Sequence, residues 1–503
     1  MHYKNLLTTA FRFLVIIILF LILYIMLIPL LKYSTAWAEA LMFPYFSPIR
    51  GISSDSFLQI FLANDHSWIL HSVIVVITNK YMPLLLHMHH QDYMAQYNIW
   101  VILICYLFFL LSVQFHFEKY FKNKLLSIFS VFLIFPILLI FQSVSNGAAK
   151  LWWFNQDCWF YAAILLPIFP IMLYTKLEKD FVLNQNLSGK DYIKSFILMF
   201  FTAFGHEFFR AVVLFSFPLI FIFNNIFLKK KIGCKSFLKS YISVIFINAL
   251  IFLNPVTLGW FANKKRTLQQ CIEIFVPYMK EYFQVVIMNN IYLFVAIFVL
   301  SVTGFFISAK TEQFKKLLVV SYSVLLSVLM FNIAIIFGKE NFEFSFNHYT
   351  VLFFTKTTLF CIVLSLSGYI ISLFKNIYGK IIFLVSLLFL STCYILSNID
   401  CFDTREEEKM EKLARQKRYL MEKMFYLYGK ENKKIYVFND PINYFFKYEF
   451  LYQYDNLKNI PKFKLVKIED DIEVFKSLIK EKTGVTVTEE ELEETKFSNI
   501  SGR

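Results

Sequence analysis

The sequence predicts an all-α integral membrane protein with about eleven transmembrane helices and a small C-terminal α/β domain. Its 503 residues are 58% hydrophobic and include 62 Phe, whereas only 17% are charged. A water-soluble protein usually carries about 25% charged residues. The apolar residues form long runs, and the first run, 11–31, exceeds the ~20 residues that cross a hydrocarbon core as a helix. It lacks the short apolar stretch and small-residue cleavage site of a signal peptide, which favours a permanent span.

Polar breaks divide the apolar sequence into separate candidate spans. Each span is long enough, or nearly so, to cross as a helix, which satisfies every backbone polar group within lipid. The fifth and sixth candidates meet at Gly205-His206-Glu207. The candidate spans lie near 11–31, 97–115, 125–142, 158–174, 193–208, 209–228, 236–254, 291–309, 317–337, 349–374 and 381–397.

The distribution of charge predicts an orientation. The net charge is +14, but residues 398–503 hold 20 basic and 21 acidic residues and are nearly neutral. The other basic residues cluster in short loops, which favours orientation by the positive-inside rule and argues against nucleic-acid binding. With a cytoplasmic N-terminus, fifteen Lys fall in 47 cytoplasmic loop residues, and the C-terminus lies outside. Those loops are 116–124, 175–192, 229–235, 310–316 and 375–380.

The chain is predicted to divide into a multi-span domain, 1–397, and a soluble tail, 398–503. The long outer loops 32–96 and 255–290 contain short apolar stretches, and in the second loop apolar residues repeat at helical spacing. We expect these stretches to be helices at the membrane interface. The tail, 398–503, is predicted to be an extracytoplasmic α/β domain because strand-like runs near 435–438 and 464–468 alternate with helical patterns. It has no glycine-rich phosphate loop.

The first outer loop carries residues suited to proton transfer and metal binding. A carboxylate at Asp55 or Asp65 is a candidate general base that takes a proton from an acceptor hydroxyl. Asp55 is alternatively a helix cap. The HMHHQD stretch offers enough imidazole for a divalent cation, although its spacing matches no established zinc motif. The candidate ligands are His87, His89, His90 and Asp92.

Charged residues inside apolar spans indicate a second candidate site. Glu207 and Arg210 follow His206 between two spans, where ionisable residues are costly and usually functional or paired. Three residues apart on a helix, they are expected either to pair with each other or to let Arg210 hold a lipid phosphate while Glu207 orients it. Lys356, within the tenth span, is a further candidate, or a lysine that snorkels to the interface.

Aromatic residues and histidines concentrate on the predicted outer side. Seven of nine His and all seven Trp lie in outer loops or at outer span ends. An aromatic belt normally forms at both interfaces, so a one-sided set is also consistent with walls around a sugar ring. Seven scattered Cys without a CxxC pair indicate neither a disulfide framework nor a zinc site.

These residues together resemble the GT-C superfamily of membrane glycosyltransferases, which use polyprenyl-phosphate-linked sugars, and more closely a group of bacterial polytopic proteins of unassigned activity with the same layout. The resemblance rests on the first span and its Asp-bearing loop, on MPLLLHMHHQD (82–92), on NGAAKLWWFNQD (146–157), on the GHE break at 205–207 and on the C-terminal domain. Many GT-C members have an acidic pair in the first loop, whereas here single Asp residues appear.

The resemblance implies a fold and an activity. The expected fold is GT-C-like, and the expected reaction transfers a sugar from a polyprenyl-phosphate donor to an envelope glycan or lipid acceptor at the outer face of a bacterial inner membrane. A non-enzymatic carrier or assembly factor for lipid-linked glycans, or a polysaccharide polymerase, is the alternative. A carrier is expected to have a charged interior and inverted repeats, and neither is found in the sequence. Expected substrate-binding residues are His206, Glu207, Arg210, Lys150, Lys356, Trp152, Trp153 and Asp157.

Overall fold

The computed structural model describes mainly the middle of the chain. The described residues are 98–120, 164–184, 189–228, 235–253, 267–308, 311–334 and 349–374, with scattered positions before residue 98 and after residue 377. Regular structure in these residues is helical except for two short strands.

The helices of the described part match the predicted spans closely. Most ends agree to within five residues, because the change from apolar to polar sequence marks where a helix leaves the hydrocarbon. For α3 the predicted start at 158 lies outside the described residues, and a turn at Leu166 and Pro167 separates α3 from the helical residues Ile164 and Leu165. The helices are α1 (Met82–Leu85), α2 (Asn98–Glu118), α3 (Ile168–Leu177), α4 (Gly189–Gly205), α5 (Glu207–Phe223), α6 (Lys235–Leu253), α7 (Leu268–Tyr282), α8 (Ile291–Ser308), α9 (Glu312–Ala334) and α10 (Tyr349–Leu373).

Within the described residues, four helices are long and apolar enough to cross a membrane, and they identify the chain as a membrane protein. They are Glu207–Leu228, Ile291–Ser308, Glu312–Asn332 and Phe353–Leu373. The first includes a π-helical turn, Asn224–Leu228, that extends α5. Leu103–Glu118 and Tyr241–Leu250 are shorter apolar helices. The total of eleven spans and their orientation stay predictions.

The break between α4 and α5 lies where the sequence predicts it. His206 is in an extended conformation, with φ −140° and ψ 145°, and its Nδ1 accepts a hydrogen bond from the backbone N–H of Phe208. This capping bond satisfies one of the N–H groups that every helix leaves unpaired at its start. A Cβ on Gly205 would lie 2.8 Å from Cδ2 of Leu166, so a glycine ends α4 where the turn before α3 approaches closely.

Helix α10 lies at the centre of the described helices. Its spanning segment is 78% buried, whereas the spanning segments of α5 and α8 are 28% buried. Helix α8 packs on α10, α5 packs along α9, and α4 packs along α6. The apolar side chains that α8 leaves exposed, such as Phe298 and Phe306, are suited to contact with lipid.

Helix α7 is amphipathic, as predicted for the loop 255–290. It begins with a capping box in which Thr267 Oγ1 accepts from Gln270 N–H, and Gln270 Oε1 accepts from Thr267 N–H. One face packs inward, where the hydroxyl of Tyr278 donates to the carbonyl of Asn332 at 2.6 Å. Val276, on the other face, is 74% exposed, which suits a helix that lies in the interface.

Two strands are described in the tail, both inside the predicted strand segments. β1 (Tyr436–Phe438) pairs in parallel with β2 (Lys464–Val466), and Val437 lies opposite Leu465. Parallel strands need a crossover connection, usually a helix. The pairing is therefore compatible with an α/β unit, and the complete C-terminal domain stays a prediction.

The contact between α8 and α9 gives a test of this packing. A Cβ on Gly304 would lie 2.2 Å from Cζ of the fully buried Phe314 ring. In a free helix Gly→Ala stabilises by about 1 kcal/mol, but overpacking of this kind costs roughly 1–3 kcal/mol. We therefore expect Gly304→Ala to lower the thermal unfolding temperature in detergent, measured by intrinsic fluorescence.

The matched control removes the ring. Phe314→Leu is expected to be destabilising by itself, but adding Gly304→Ala to it should cost less than adding Gly304→Ala to the natural chain. An unfolding temperature for Gly304→Ala equal to that of the natural chain would contradict the close approach.

Candidate functional site

The structure brings two predicted site segments together at one end of the helices. The first turn of α5 carries Arg210, and the ring of His206, which caps that turn, packs edge-on against Phe354 of α10 at a centroid distance of 4.9 Å. Lys356 lies two residues further along α10 and is 1% exposed. The break between α4 and α5 thus lies against the helix that carries the second predicted cation, although these segments are about 150 residues apart.

Arg210 lies in a setting suited to an anion. The first N–H groups of a helix and its dipole favour negative charge at an N-terminus. Arg210 is on the first turn of α5, and Glu207 begins the same helix three residues earlier. The carboxylate of Glu207 interacts electrostatically with the guanidinium. Both expectations, an internal pair and an arginine oriented toward a phosphate, remain compatible with this spacing.

A second polar cluster lies at the opposite ends of α2, α3 and α10, and the sequence did not predict it. Nζ of Lys119 lies 2.6 Å from Oε2 of Glu178, and the side chains are 0% and 5% exposed. Glu178 begins a π-helical turn, Glu178–Val182, that follows α3. Its carboxylate also accepts hydrogen bonds from the hydroxyls of Tyr120 and of Ser365, the latter at 2.9 Å. Every carboxylate oxygen is therefore bonded, as a buried charge requires.

The hydrogen bonds around His116 assign its tautomer. Because a carboxylate can only accept, Ser365 gives its hydrogen to Glu178, and Nε2 of His116, 2.8 Å away, must donate to Ser365 Oγ. The carbonyl of Cys361, 3.3 Å from Nε2, agrees with a hydrogen on that nitrogen. In the neutral ring Nδ1 then accepts from Nζ of Lys119 at 3.1 Å, because the hydroxyl of Thr175, 2.8 Å from Nδ1, donates to the carbonyl of Ile171. A directional chain of hydrogen bonds thus ends on the carboxylate.

Lys119 is one of the fifteen lysines that lie in the predicted cytoplasmic loops. Its side chain is not exposed to solvent there but is buried in the ion pair with Glu178. Lys176 and Lys316, from two other predicted cytoplasmic loops, are more exposed than Lys119. Lys176 contacts Asp191 at 2.8 Å with 16% exposure, and Lys316 donates to Asn184.

A narrow cleft extends between the two clusters. It lies among α3, α5, α9 and α10. Phe209 lines it near the α4–α5 break, and His116, Glu178 and Ser365 line it at the other end. Its walls are mostly apolar side chains, among them Ile171, Val212, Val213, Val320, Val324 and Ile362. A cleft of this composition suits an apolar ligand with few polar contacts.

The remaining predicted site residues lie outside the described part of the chain, so their predictions stay untested. Trp100 is described, and its ring stacks on Tyr24 of the first span at 5.3 Å, which shows packing between spans at this tryptophan. Within the described residues no group of three or more His, Cys, Asp or Glu could hold a metal ion. The residues outside the described part are Asp55, Asp65, His87, His89, His90, Asp92, Lys150, Trp152, Trp153 and Asp157.

Comparison with known proteins does not identify a family. No protein-family model, no curated protein and no solved structure matches this chain. The function is therefore argued from the residues themselves.

The buried pair predicts an asymmetric mutational response. Glu178→Gln leaves the ammonium of Lys119 buried without its counter-charge, which typically costs about 3–5 kcal/mol. We expect a correspondingly large drop in the thermal unfolding temperature of the purified protein. Adding Lys119→Met to Glu178→Gln should recover part of that loss, because the uncompensated charge is gone.

Asp191→Asn is the matched control. It breaks the more exposed pair with Lys176, which should contribute less than about 1 kcal/mol. Equal losses in Glu178→Gln and Asp191→Asn, or no recovery in the double variant, would contradict a buried ion pair.

Proposed function

We propose that the chain is a membrane glycosyltransferase that moves a sugar from a polyprenyl-phosphate donor to an envelope glycan or lipid acceptor on the outer face of the bacterial inner membrane. The observation that supports this most is the packing of His206, which caps the helix that carries Arg210, against Phe354 of α10, the helix that carries the buried Lys356. The apolar cleft starts near this break, at Phe209 and Thr357, and suits the apolar chain of such a donor, while Arg210 suits its phosphate.

The proposed reaction needs stabilisation of the leaving group. The acceptor hydroxyl attacks the anomeric carbon, the bond from that carbon to the phosphate oxygen breaks, and polyprenyl phosphate leaves with the bonding electrons. Arg210 and Lys356 would offset the negative charge that develops on the phosphate, with Lys150 as a further candidate cation. Glu207 would orient Arg210 and limit the net positive charge when no ligand is bound.

The other residues of the proposed site are predicted from the amino-acid sequence. Asp65 or Asp55 would take the proton from the acceptor hydroxyl as it attacks. Trp152, Trp153 and Asp157 would line the sugar path together with His206. A divalent cation held by His87, His89, His90 and Asp92 would assist in binding the phosphate. With the N-terminus inside, the α4–α5 break and the start of α10 face the same outer side as these loops.

The alternative of a carrier for lipid-linked glycans gains support from one observation. The sequence showed no charged interior, whereas the ion pair of Lys119 and Glu178 lies buried beside the cleft. A carrier moves its substrate across the membrane unchanged, whereas a transferase releases polyprenyl phosphate. An assay of product release therefore separates the two functions.

The transferase proposal predicts that removing the positive charge of Arg210 or Lys356 slows the release of polyprenyl phosphate. Full-length protein in nanodiscs would be given a panel of synthetic polyprenyl-phosphate sugars, with membranes from a deletion strain as acceptor source. Release of polyprenyl phosphate should fall about 10²–10³-fold in Arg210→Gln, the usual loss for one transition-state donor. Lys356→Met should show a similar loss.

Lys316→Gln is the matched control, because this lysine is bonded to Asn184 away from the break. It should retain full activity. Release of polyprenyl phosphate that is undiminished in Arg210→Gln, or transport of every donor without release, would refute the assignment.

The predicted orientation has its own test. In a cysteine-free background, Gln269→Cys at the start of α7 should react with a membrane-impermeant maleimide on intact cells, because the loop 255–290 is predicted to lie outside. Gln313→Cys at the start of α9 should react only after permeabilisation. Both positions are exposed, so accessibility in the folded chain does not limit either reaction. The reverse pattern would invert the proposed topology.

A further inference from the structure

Helices α4 and α6 pack along each other and begin at the same end of the described helices. The hydroxyl of Tyr174, near the end of α3, lies 2.6 Å from the hydroxyl of Ser216 on α5. In α6, the hydroxyl of Tyr241 donates to the carbonyl of Leu214, in the same turn of α5, at 2.6 Å. The last turn of α3 also forms an ion pair with Asp191, in the first turn of α4. The first turns of α4 and α6 therefore lie at one end, beside the end of α3.

The start of α4 carries two lysines and an apolar surface on one exposed face. Lys190 and Lys194 are four residues apart, and both are exposed. Ile193 and Ile197 follow on the same face at helical spacing and are 62% and 45% exposed. Asp191, the acidic residue of this first turn, is paired with α3 instead. The positive charge of the two lysines is thus not offset by this carboxylate.

Helix α6 repeats this order of residues. Lys235 and Lys239 stand in its first two turns, and Ile242 and Phe246 follow at helical spacing on the same face. The side chains of Ile242 and Phe246 are 63% and 59% exposed. Residues 229–231, all lysine, precede this helix. Two packed helices thus share one pattern, with lysines first and exposed apolar residues behind them.

The positive-inside rule explains lysines in loops, but it does not explain this whole pattern. Lys194 and Lys239 lie inside the predicted spans rather than in the loops. A lysine in the first turn of a helix is also disfavoured by the helix dipole, so these lysines do not serve to stabilise their helices. Lys315, at the start of α9, shows the ordinary arrangement: it is exposed, but Val319, next on its face, is buried.

We propose that the starts of α4 and α6 form a binding site for an anionic phospholipid of the bilayer, whose phosphate contacts Lys190 and Lys194. Its acyl chain lies along Ile197 and Ile242. Basic residues between spanning helices at the predicted cytoplasmic side suit anionic headgroups, and exposed apolar faces suit the chains. The inference rests on the described helices and does not depend on the proposed sugar transfer at Arg210.

Native mass spectrometry of the full-length protein in a mild detergent tests the proposal. The probes are phosphatidylglycerol and phosphatidylcholine with identical acyl chains. Phosphatidylglycerol should bind at least about tenfold more tightly, because only this lipid has a net negative charge. Glycerol phosphate, which has the phosphate without the chains, should not displace it. Equal binding of the two lipids, or displacement by glycerol phosphate, would overturn the proposal. Displacement by an equal concentration of polyprenyl phosphate would also overturn it, because the site would then belong to that lipid.

Matched variants separate lipid binding from folding. Lys190→Gln combined with Lys194→Gln should weaken phosphatidylglycerol binding about 10–30-fold, the usual effect of two basic residues beside an anionic lipid. Lys315→Gln removes an exposed lysine from another helix start and should bind like the natural chain. All three side chains are exposed, so the unfolding temperature in lipid-free detergent should not change. Equal binding in the double variant and in Lys315→Gln would contradict the site.

A photoactivatable phosphatidylglycerol with a diazirine on its acyl chain locates the bound lipid. After illumination in nanodiscs, labelled peptides are mapped by mass spectrometry. Labelling of α4 and α6 is expected in the natural chain and should be lost in the double variant. Labelling that is spread equally over the exposed faces of all helices, α8 included, would refute a specific site.

Discussion

The ion pair between Lys119 and Glu178 is the interaction on which the described helices most depend. A buried carboxylate or ammonium is tolerated only when it is paired and fully hydrogen-bonded. The carboxylate of Glu178 accepts hydrogen bonds from residues at the end of α2 and from Ser365 of α10. Glu178 itself lies in the π-helical turn after α3. These three elements therefore share one fixed register. If one helix slid by a turn, a charge would be left alone in an apolar interior.

This constraint also positions the rest of the site. With α10 held at Ser365, Phe354 nearer its start packs against His206 at the break between α4 and α5. The cleft is the space left between these two fixed ends. The Lys119–Glu178 cluster compensates its own charge, whereas Arg210, at the other end, lies on the first turn of α5, where the helix dipole favours an anion. The end that carries Arg210 is thus better suited to an anionic ligand than the Lys119–Glu178 cluster.

The sequence predicted features that depend on local pattern. Helix ends follow the change in hydropathy, and the break at Gly205 follows from a glycine, a capping histidine and an acidic first turn. The amphipathic helix α7 follows from apolar residues at helical spacing. Arg210 and Lys356 were also identified, because a charge within an apolar run is visible in the sequence alone.

The cluster around Lys119 and Glu178 could not be predicted in the same way. His116 and Thr175 are 59 residues apart, and Ser365 is 187 residues from Glu178, so only tertiary packing brings them together. A lysine at a span end also satisfies the positive-inside rule, and this explanation concealed the burial of Lys119. The available signals were a histidine three residues before that lysine and a glutamate just after an apolar span. Neither signal indicates which residue pairs with Lys119.

The central claim is that the chain transfers one sugar outside the cytoplasm, and glycan profiling of a deletion strain tests it most directly. Surface glycans from the strain, and from the same strain complemented with the natural chain, would be compared by mass spectrometry. The account predicts that one sugar is lost from an otherwise intact glycan and is restored by complementation. An unchanged glycan, or a glycan that loses its whole chain length as it would without a polymerase, would contradict it.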